Sequence, residues 1–379
     1  MTPPAAQAGQ RADPPGDAPV RLCIIGGSPS HPGGLEAYCE RALQAFRRHA
    51  PGSEVALFPT EAAYVNDRGL ARMIRCAKAL VARRSDFDLA WVHVSCLAEA
   101  LFVPLARALG WTVLVTPHFG ATSRLETRGW VRRLRVAIMG RAHGLGLLFA
   151  GQDKEISLPP DLPHHVIGTF LPVQAFATPP APATDAPLRL IHAARFSAAK
   201  GSLLMLDLCA KLKRAGIPFA AHLVGRGDTE VMEEITRKIA EDEMADQVIL
   251  IDWLDADGIA QALREADVLV HLSAIDSFPL IVLEALAADT LPIVRPMAGS
   301  LSMVRTCGGH ATGDDQPAAD AYAWLAGKDL HQLRREGREA GERARAAYGW
   351  SRIVDAALDA MHAAVPRSRR KLLSRREAR

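Results

Sequence analysis

The stretch Ala266–Ala288, which reads ADVLVHLSAIDSFPLIVLEALAA, constrains the fold of this chain more than any other segment. Its apolar run Val268–Leu272 has the length of one buried strand. A polar turn follows, and Pro279 then opens a predicted helix with Ser277 as its expected N-cap, since the first turn has no use for the N–H that proline lacks. The segment therefore predicts a strand, a loop and a helix start, which is where parallel sheets bind ligands.

Two carboxylates mark this unit. Asp276 lies in the predicted loop and Glu284 in the second helical turn, with seven residues between them. Acids in these positions can contact different parts of one ligand that lies over the helix start. They are also consistent with a solvated loop acid and a helix-start acid favoured by the helix dipole. The interpretation of the pair therefore depends on the rest of the chain.

Strands and helices alternate along the first part of the chain. The predicted strands are Arg21–Ile25, Glu54–Phe58, Leu89–His93, Thr112–Thr116 and Gly144–Phe149. The predicted helices between the later strands are Leu70–Ala82, Cys96–Leu109 and a basic helix within Ser123–Arg141. Strands separated by helices indicate a parallel, doubly wound sheet and an α/β fold.

A glycine-rich loop, GGSPSHPGG, follows the first strand and precedes a helix. Gly26, Gly27, Gly33 and Gly34 allow a tight turn and a close approach of the backbone to a ligand. The N–H groups at the start of that helix suit an anion. The spacing differs from GxGxxG, so the dinucleotide fingerprint is absent, and a purely structural turn is the alternative.

The basic helix predicted within residues 123–141 has two distinct faces. One carries Arg128, Arg132 and Arg135, and the other carries Trp130, Leu134 and Ile138. We expect the apolar face to pack on the sheet and the arginines to be solvated. The alternative is that the arginines form a surface for a membrane or for an acceptor phosphate.

The composition changes near residues 171–186, where proline and alanine crowd together and periodicity stops. We interpret residues 173–187 as a linker between two domains. Strands are predicted again at Leu188–His192, Phe219–Val224, Val248–Ile251 and Leu291–Val294. Arg195 and Lys200 flank a short loop before the predicted helix Ser202–Ala215, and two cations beside a helix N-terminus favour a diphosphate.

Composition excludes several classes of protein. A chain of 379 residues is too long for one ordinary core and suits two domains, and a net charge of +3 is too small to favour nucleic acid. Six cysteines without a CxxC pair indicate reduced thiols in a cytoplasmic protein. No apolar run approaches the roughly 18 residues of a membrane span, and the N-terminus lacks the apolar core of a signal peptide.

Candidate metal ligands have simpler explanations. Asp255 and Asp257 form a DxD triplet before the predicted helix Gly258–Arg264, where N-capping accounts for them. Asp86 and Asp88 form a similar triplet that reads as a turn, and His164-His165 lacks partners at metal-ligand spacing. We therefore predict that no metal ion is required.

Together these segments resemble retaining glycosyltransferases of family 4, also called glycosyltransferase group 1, which have the GT-B fold of two Rossmann-like domains facing across a cleft. The phrases that carry the resemblance are HPGGLE at 31–36, TPHFG at 116–120, RFSAAKG at 195–201, GRG at 225–227, YGWS at 348–351 and the acid pair. The resemblance covers nearly everything between about residue 20 and residue 363. Two features depart from the family pattern. Asp276 stands where the family usually has glutamate, and VIGTFLP at 166–172 replaces an asparagine-containing phrase.

The resemblance implies a role for each candidate residue. Arg195 and Lys200 would hold the donor diphosphate, Glu284 the ribose, and Asp276 the hydroxyls of the donor sugar. His118 would approach the sugar from the other domain, with His93 as a second choice. Further residues implied near the donor are Gly33, Gly34, Gly225, Trp253, Ser277, Phe278 and Leu280.

The sequence thus predicts a retaining glycosyltransferase that uses a UDP- or GDP-sugar and needs no cofactor. Its acceptor would be a glycan, a lipid-linked glycan or a small molecule, as in cell-surface or exopolysaccharide synthesis. A catalytically silent GT-B scaffold and a GT-B sugar-nucleotide epimerase stay as alternatives, and a nicotinamide dehydrogenase is disfavoured by the glycine spacing.

The predicted organisation has six parts. They are a disordered lead-in (1–19), an N-terminal acceptor domain (20–172), the linker (173–187), a C-terminal nucleotide-sugar domain (188–347), a closing helix that returns to the first domain (348–365) and a basic tail (366–379). The tail and the arginines within 123–141 suggest a reversible contact with the anionic inner face of a membrane.

Overall fold

The computed structural model describes residues 20–30, 33–62, 67–176, 187–276 and 278–365, and for Asp67 and Arg68 only the backbone. The predicted lead-in, most of the predicted linker, the basic tail and Ser277 lie outside the described residues. Within them the chain forms two six-stranded sheets, and every recorded strand pair is parallel. The predicted α/β architecture with two doubly wound sheets is therefore confirmed.

The first sheet has the strand order β2-β1-β3-β4-β5-β6. Its strands are β1 (Arg21–Ile25), β2 (Glu54–Phe58), β3 (Leu89–Val94), β4 (Thr112–Pro117), β5 (Gly144–Leu147) and β6 (His164–Val166). The helices between them are α1 (Gly34–His49), α2 (Asp67–Ala82), α3 (Leu97–Ala100), α4 (Phe102–Ala108), α5 (Arg124–Thr127), α6 (Gly129–Met139) and α7 (Gln152–Glu155).

The second sheet has the strand order β12-β11-β10-β7-β8-β9. Its strands are β7 (Leu188–Ala193), β8 (Phe219–Val224), β9 (Val248–Ile251), β10 (Val268–His271), β11 (Leu291–Val294) and β12 (His310–Ala311). Its helices are α8 (Ser202–Arg214), α9 (Thr229–Glu241), α10 (Ala256–Glu265), α11 (Leu280–Ala287), α12 (Ala298–Cys307), α13 (Pro317–Ala326) and α14 (Leu330–Ala347). A 3-10 turn, Val173–Phe176, precedes this domain.

Both faces of the first sheet are buried, as expected for parallel strands covered by helices. Alternate residues of β1 point to opposite sides, so Leu22 and Ile24 join one apolar core and Cys23 and Ile25 join the other. The first core lies under α1 and the C-terminal helix α15 (Trp350–Ala364). The second lies under a layer formed by α2 to α6.

Helix α15 returns from the second domain to the first. It packs against α1, β4 and β5. At its start Trp350 is buried, and its indole N–H donates to the carbonyl of Leu171 over 2.7 Å. Helix α15 therefore packs its residues, which follow the second domain in the chain, against the sheet of the first domain.

The ends of several elements differ from the prediction. The segment predicted as one helix over Cys96–Leu109 contains α3 and α4, and α11 begins at Leu280 with Pro279, rather than Ser277, as its N-cap. Strands β6 and β12 were not predicted, because they are short edge strands with histidines instead of an apolar run.

The predicted orientation of the basic helix is wrong for Arg135, Trp130 and Leu134, whereas Arg128 and Arg132 are exposed and Ile138 packs against the core as expected. Arg135 is completely buried, whereas Trp130 is 66% exposed and Leu134 is 43% exposed. The Arg135 guanidinium donates to Glu126 over 2.8 Å and to the carbonyl of Ser157 over 2.9 Å. Because its partners come from other elements, the burial of this arginine could not be read from the periodicity of the helix.

Each sheet has a point where the strand order reverses, and a crevice opens there at the carboxyl ends of the strands. In the first sheet this point lies between β1 and β3, and in the second between β7 and β10. Gly26 fits the first of these points because a Cβ atom there would lie 2.8 Å from the Cβ of His93. The two crevices are where the candidate site residues collect.

Candidate active site

The reversal point of the second sheet carries an ionic cluster around Asp276. The ammonium of Lys200, from the loop before α8, forms an ion pair with one carboxylate oxygen of Asp276. His271 Nε2, at the end of β10, lies 3.0 Å from the other oxygen. Burial alone would raise the pKa of Asp276, but His271 and Lys200 together hold that pKa well below its usual range. The cluster therefore keeps an ionised carboxylate at the floor of the crevice.

Arg195 differs from Lys200 in that its charge is uncompensated. It follows β7, is exposed, and its guanidinium makes no hydrogen bond or ion pair with any residue in the described ranges. Its position borders two cavities formed by the described residues. An anion that enters the crevice would therefore meet Arg195 first, while Lys200 would have to share its charge with Asp276.

Glycines allow the loops of this crevice to approach one another. Gly201 has φ +79°, and a Cβ atom there would lie 2.6 Å from the carbonyl oxygen of Leu272. Gly225 has φ +148°, and a Cβ atom there would lie 1.9 Å from the carbonyl oxygen of Ala194. Side chains at either position would separate the loop that carries Arg195 and Lys200 from its neighbours.

Glu284 lies in α11 and meets the first domain. Its Oε1 accepts a hydrogen bond from Arg41 Nη2 of α1 over 2.5 Å. Both side chains are largely buried, with 15% of Arg41 and 18% of Glu284 exposed. Glu284, which was predicted to bind the ribose, is therefore already paired with a cation from the opposite domain, and no motif in the sequence predicts this pair.

Two apolar contacts lie beside this ion pair. Phe278 stacks on Phe149 of the first domain, with ring centroids 5.4 Å apart and planes inclined by 3°. Gly34 faces Leu280, and a Cβ atom there would lie in ordinary van der Waals contact, 3.7 Å from the Leu280 side chain. Because the backbone of Gly33 is extended at φ −165°, its predicted conformational role is not required. The two glycines instead leave space at the mouth of the crevice.

The reversal point of the first sheet holds a histidine pair. His93 Nδ1 and His118 Nε2 lie 3.0 Å apart, and Tyr38 packs against both rings. Burial lowers the pKa of His93 well below its ordinary value and lowers the pKa of His118 to about 3, so both rings are neutral. His93 lies beneath the surface, whereas His118 lines a cavity. The structure thus places His118, rather than His93, where a ligand can reach it.

The hydrogen bond between the two rings fixes their tautomers. The Nε2 of His93 is buried without a partner. A buried N–H without an acceptor costs more free energy than a buried nitrogen lone pair without a donor. We therefore assign the His93 proton to Nδ1, which donates to His118 Nε2. His118 then carries its own proton on Nδ1. The pair therefore leaves His118 as a neutral hydrogen-bond donor.

Two cavities of about 630 and 780 Å³ meet between the domains. The smaller one is bordered by Arg41, Glu284 and Trp253, and the larger one by His118 and several hydroxyl side chains. Both are lined by Gly33, Gly34, Arg195, Asp276, Phe278 and Leu280. All predicted site residues that the structure describes therefore line one continuous crevice. Ser277 lies outside the described residues.

Both aspartates of the DxD triplet accept hydrogen bonds from other residues of the protein. The carboxylate of Asp255 caps α10 by accepting from the N–H of Gly258 over 2.8 Å. Asp257 accepts from the amide of Gln174 over 2.7 Å. Within the part of the chain that the structure describes, no group of three or more histidine, cysteine or acidic side chains is arranged to hold a metal ion.

Sequence reasoning missed two residues of the crevice. His271 could have been found, because it ends a buried strand in the same way as His93 and His118. Arg41 could not, because nothing in the pattern of α1 indicates that this polar position faces α11 across the crevice. Both border the smaller cavity.

Comparison with known proteins finds similarity mainly in the second domain. Residues 179–329 match the family model Glycosyl transferases group 1. A D-inositol 3-phosphate glycosyltransferase from Pseudarthrobacter chlorophenolicus is 32% identical over 187 residues, which is 47% of this chain and 43% of the relative. The amylovoran biosynthesis glycosyltransferase AmsK from Erwinia amylovora is 32% identical over 114 residues, 28% of this chain and 27% of the relative. The matches thus span less than half the length of either curated relative.

Solved structures resemble the chain over almost its whole length. HepE from Anabaena, solved in complex with UDP and glucose, aligns with a TM-score of 0.69 at 14% identity and covers 89% of this chain and 98% of that one. Sucrose-phosphate synthase from Thermosynechococcus elongatus aligns with a TM-score of 0.69 at 18% identity and covers 89% and 96%. Because the sequence identities are only 14% and 18%, these structures show a shared fold and nothing more. The chain accordingly has the GT-B fold, and its residues 179–329 match the glycosyltransferase group 1 family.

Proposed function

We propose that this protein is a retaining glycosyltransferase that moves a sugar from a nucleoside-diphosphate donor to a glycan, lipid-linked or small-molecule acceptor. One observation carries the proposal. The smaller cavity is lined by an uncompensated cation, Arg195, by Lys200, by a largely buried carboxylate, Glu284, and by an exposed indole, Trp253. A nucleoside diphosphate offers matching groups in one molecule, namely the phosphates, the ribose hydroxyls and the base.

In the proposed reaction the bond between the sugar and the diphosphate breaks, the acceptor oxygen bonds to the same sugar carbon, and the leaving diphosphate takes the proton of the acceptor hydroxyl. Negative charge develops on the leaving phosphate as its bond to the sugar breaks. Arg195, Lys200 and the N-terminus of α8 would stabilise that charge. Asp276 would accept hydrogen bonds from sugar hydroxyls through the part of its carboxylate that Lys200 and His271 leave free. Because Asp276 is held by two neighbours, we assign it to sugar binding rather than to nucleophilic attack. This assignment agrees with the proposed retention without a protein-bound intermediate.

The larger cavity would receive the acceptor. It lies beside His118 on the first domain and beside Arg195 and Asp276 on the second, so an acceptor hydroxyl there would face the donor sugar. His118 is neutral and carries a donor N–H, which suits contact with an oxygen of the transferred sugar. That the curated relatives include an amylovoran biosynthesis enzyme supports a glycan acceptor and a role in polysaccharide synthesis.

The proposed activity is tested by a donor screen. Purified protein is incubated with UDP- and GDP-sugars, and release of the free nucleoside diphosphate is measured with and without a mixture of glycan acceptors. We expect one donor to be turned over, with faster release when an acceptor is present. A chelator should leave the rate unchanged, since the proposed stabilising charges are Arg195 and Lys200. Tight nucleotide binding without turnover would favour a scaffold, and inhibition reversed by magnesium would contradict the metal-independent reaction.

The helix layer α2 to α6, which covers one face of the first sheet, suggests where the protein would contact a lipid-linked acceptor. Six large apolar side chains are exposed there, and we call this surface the basic apolar face. Its apolar members are Leu70, Ile74, Val81, Leu101, Trp130 and Leu134. None of the helices in the described part of the chain is long and apolar enough to cross a bilayer. An exposed apolar stripe on an interfacial helix can instead insert at the level of the lipid headgroups.

The charges on the same face match an anionic membrane. Residues 67–143 contain 13 lysines and arginines against 5 acidic residues. Arg75 and Lys78 on α2 and Arg132 and Arg133 on α6 are exposed beside the apolar side chains. Arg135 is excluded from this surface because it is buried against Glu126. We propose that the protein acts in the cytoplasm and docks by this face on the inner leaflet.

Vesicle sedimentation tests the docking. We expect the protein to sediment with phosphatidylserine-containing vesicles at low salt, to stay in solution with phosphatidylcholine vesicles, and to be released by high salt, because each basic residue near the surface contributes about 1 kcal/mol of screened attraction. Trp130→Ala combined with Leu134→Ala should weaken the binding. Ile249→Ala, at an exposed apolar position of the second domain, is the matched control. Equal binding by the double variant and the control would contradict the assignment of this face.

A further inference from the structure

The ion pair between Arg41 and Glu284 joins the two domains at the edge of the smaller cavity. Arg41 lies about two turns into α1, and Glu284 lies on α11, 243 residues later. The second amino group of the same guanidinium, Nη1, donates to the carbonyl of Phe170 over 3.3 Å. Arg41 is therefore held from both sides, by the backbone of its own domain and by the carboxylate of the other.

The pair leaves half of the carboxylate available. Arg41 contacts Oε1 of Glu284, and Oε2 makes no hydrogen bond or ion pair with the residues that the structure describes. A carboxylate that is more than four-fifths buried is costly without a counter-charge, and the arginine removes that cost while fixing the direction of the free oxygen. The arrangement is thus suited to present Oε2 to a hydroxyl group in the cavity.

We propose that Arg41 is a positioning residue, which holds Glu284 so that its free oxygen receives the ribose hydroxyls of the donor, and which thereby couples nucleotide binding to the contact between the domains. The inference rests on the proposed function, in which Glu284 binds the ribose. Arg41 itself acts through Glu284 and is not assigned to the phosphates, because its two amino groups are already engaged with Phe170 and Glu284.

This role differs from two others that a cation in this place could have. An arginine that competed with ribose for Glu284 would weaken nucleotide binding, so its removal would strengthen it. An arginine that bound the diphosphate would act on any nucleotide, whether or not the ribose carried hydroxyls. A residue that orients Glu284 should matter only for nucleotides whose ribose hydroxyls Glu284 can reach. The three roles therefore predict different responses to the same ligands.

The test compares nucleotides with and without ribose hydroxyls. UDP and GDP are titrated calorimetrically into the wild-type protein, and the tighter one is used together with its 2′,3′-dideoxy form. We expect Arg41→Ala to lower the affinity for the normal nucleotide at least about tenfold, as for a lost charge-assisted contact, and to leave the affinity for the dideoxy form nearly unchanged. Arg41→Lys should recover part of the loss, because lysine supplies the charge but not the forked contact with Phe170.

A double-mutant cycle separates positioning from an independent contact. If Arg41 acts through Glu284, then Arg41→Ala added to Glu284→Gln lowers the affinity no further than Glu284→Gln alone. Arg48→Ala is the matched control, since Arg48 is an exposed arginine in the last turn of the same helix. Thermal unfolding of each variant confirms that the domains are folded.

The outcomes distinguish this inference from the proposed function. An equal loss for both nucleotides, an increased affinity, or additive effects in the double variant would each overturn the positioning role of Arg41. If the wild-type protein itself bound the normal and dideoxy nucleotides equally well, the ribose assignment of Glu284 would fail and the inference with it. A wild-type preference that Arg41→Ala leaves intact would refute the inference alone.

Discussion

Arg195→Ala and Lys200→Ala are each expected to lower the rate of sugar transfer by about a hundredfold, the effect of removing one preorganised contact to a developing charge. Both residues lie in the loop between β7 and α8, at the point where the strand order of the second sheet reverses. Charge on the leaving diphosphate grows as the sugar bond breaks, so the loss should fall mainly on turnover. Initial rates of nucleoside-diphosphate release at saturating donor measure it.

The two variants should differ in their secondary effects. The guanidinium of Arg195 has no protein partner within the described residues, so its removal should leave the thermal stability unchanged. Removing Lys200 takes away one of the two side chains that lower the pKa of Asp276, so that pKa should rise and the residual activity should gain a pH dependence. Lys211→Ala, farther along α8, is the control for loss of a positive charge. Wild-type turnover in either site variant would remove that residue from the proposed site.

The strands that carry the site were predictable because each is a short apolar run bounded by polar residues. The segment Val268–Leu272 is of this kind, and β10 occupies Val268–His271. Parallel strands then bring their carboxyl ends to one edge, so Lys200 and Asp276, 76 residues apart, could be expected to meet. Strand β6 was missed because it is an exposed edge strand whose stability comes from its pairing with β5.

Contacts set by packing between elements could not be predicted. The periodicity of α6 does not show which of its two faces is buried. Arg135 can be buried because Glu126 and the carbonyl of Ser157 accept hydrogen bonds from its guanidinium. The meeting of Arg41 with Glu284 likewise depends on how the two domains face each other. Spacing along the chain therefore predicted that Arg195, Lys200 and Asp276 share one end of the crevice, whereas the interdomain contacts required the folded structure.

Acidification is expected to destabilise the protein well above the range in which carboxylates titrate. Burial lowers the pKa of His118 to about 3 and the pKa of His192 to about 4, from an ordinary value of 6.5. The unfolded chain therefore binds more protons than the folded one below pH 6.5, and the free energy of unfolding falls as the pH falls. At pH 5.5 each histidine should cost about 1.4 kcal/mol relative to neutral pH, or about 3 kcal/mol for the two together.

His192 allows this prediction to be isolated. Its Nδ1 lies 2.9 Å from the carbonyl of Val270 and its Nε2 lies 3.1 Å from the hydroxyl of Ser202, so glutamine can replace it while keeping a donor and an acceptor. Urea unfolding at pH 7.5 and 5.5 should show a fall in stability that is about 1.4 kcal/mol smaller in His192→Gln than in the wild-type protein. The exposed His331 supplies the control, since His331→Gln should leave the pH dependence unchanged.

Carboxylates with raised pKa values act in the opposite direction and do not affect this comparison. Burial raises the pKa of Glu99 and of Asp289, so both contribute some stability as the pH falls through the acidic range. They are present in every variant, and their contribution cancels when the pH dependence of His192→Gln is subtracted from that of the wild-type protein. A difference close to zero would mean that His192 is protonated as readily in the folded chain as in the unfolded one, and that its burial on β7 does not oppose its charge.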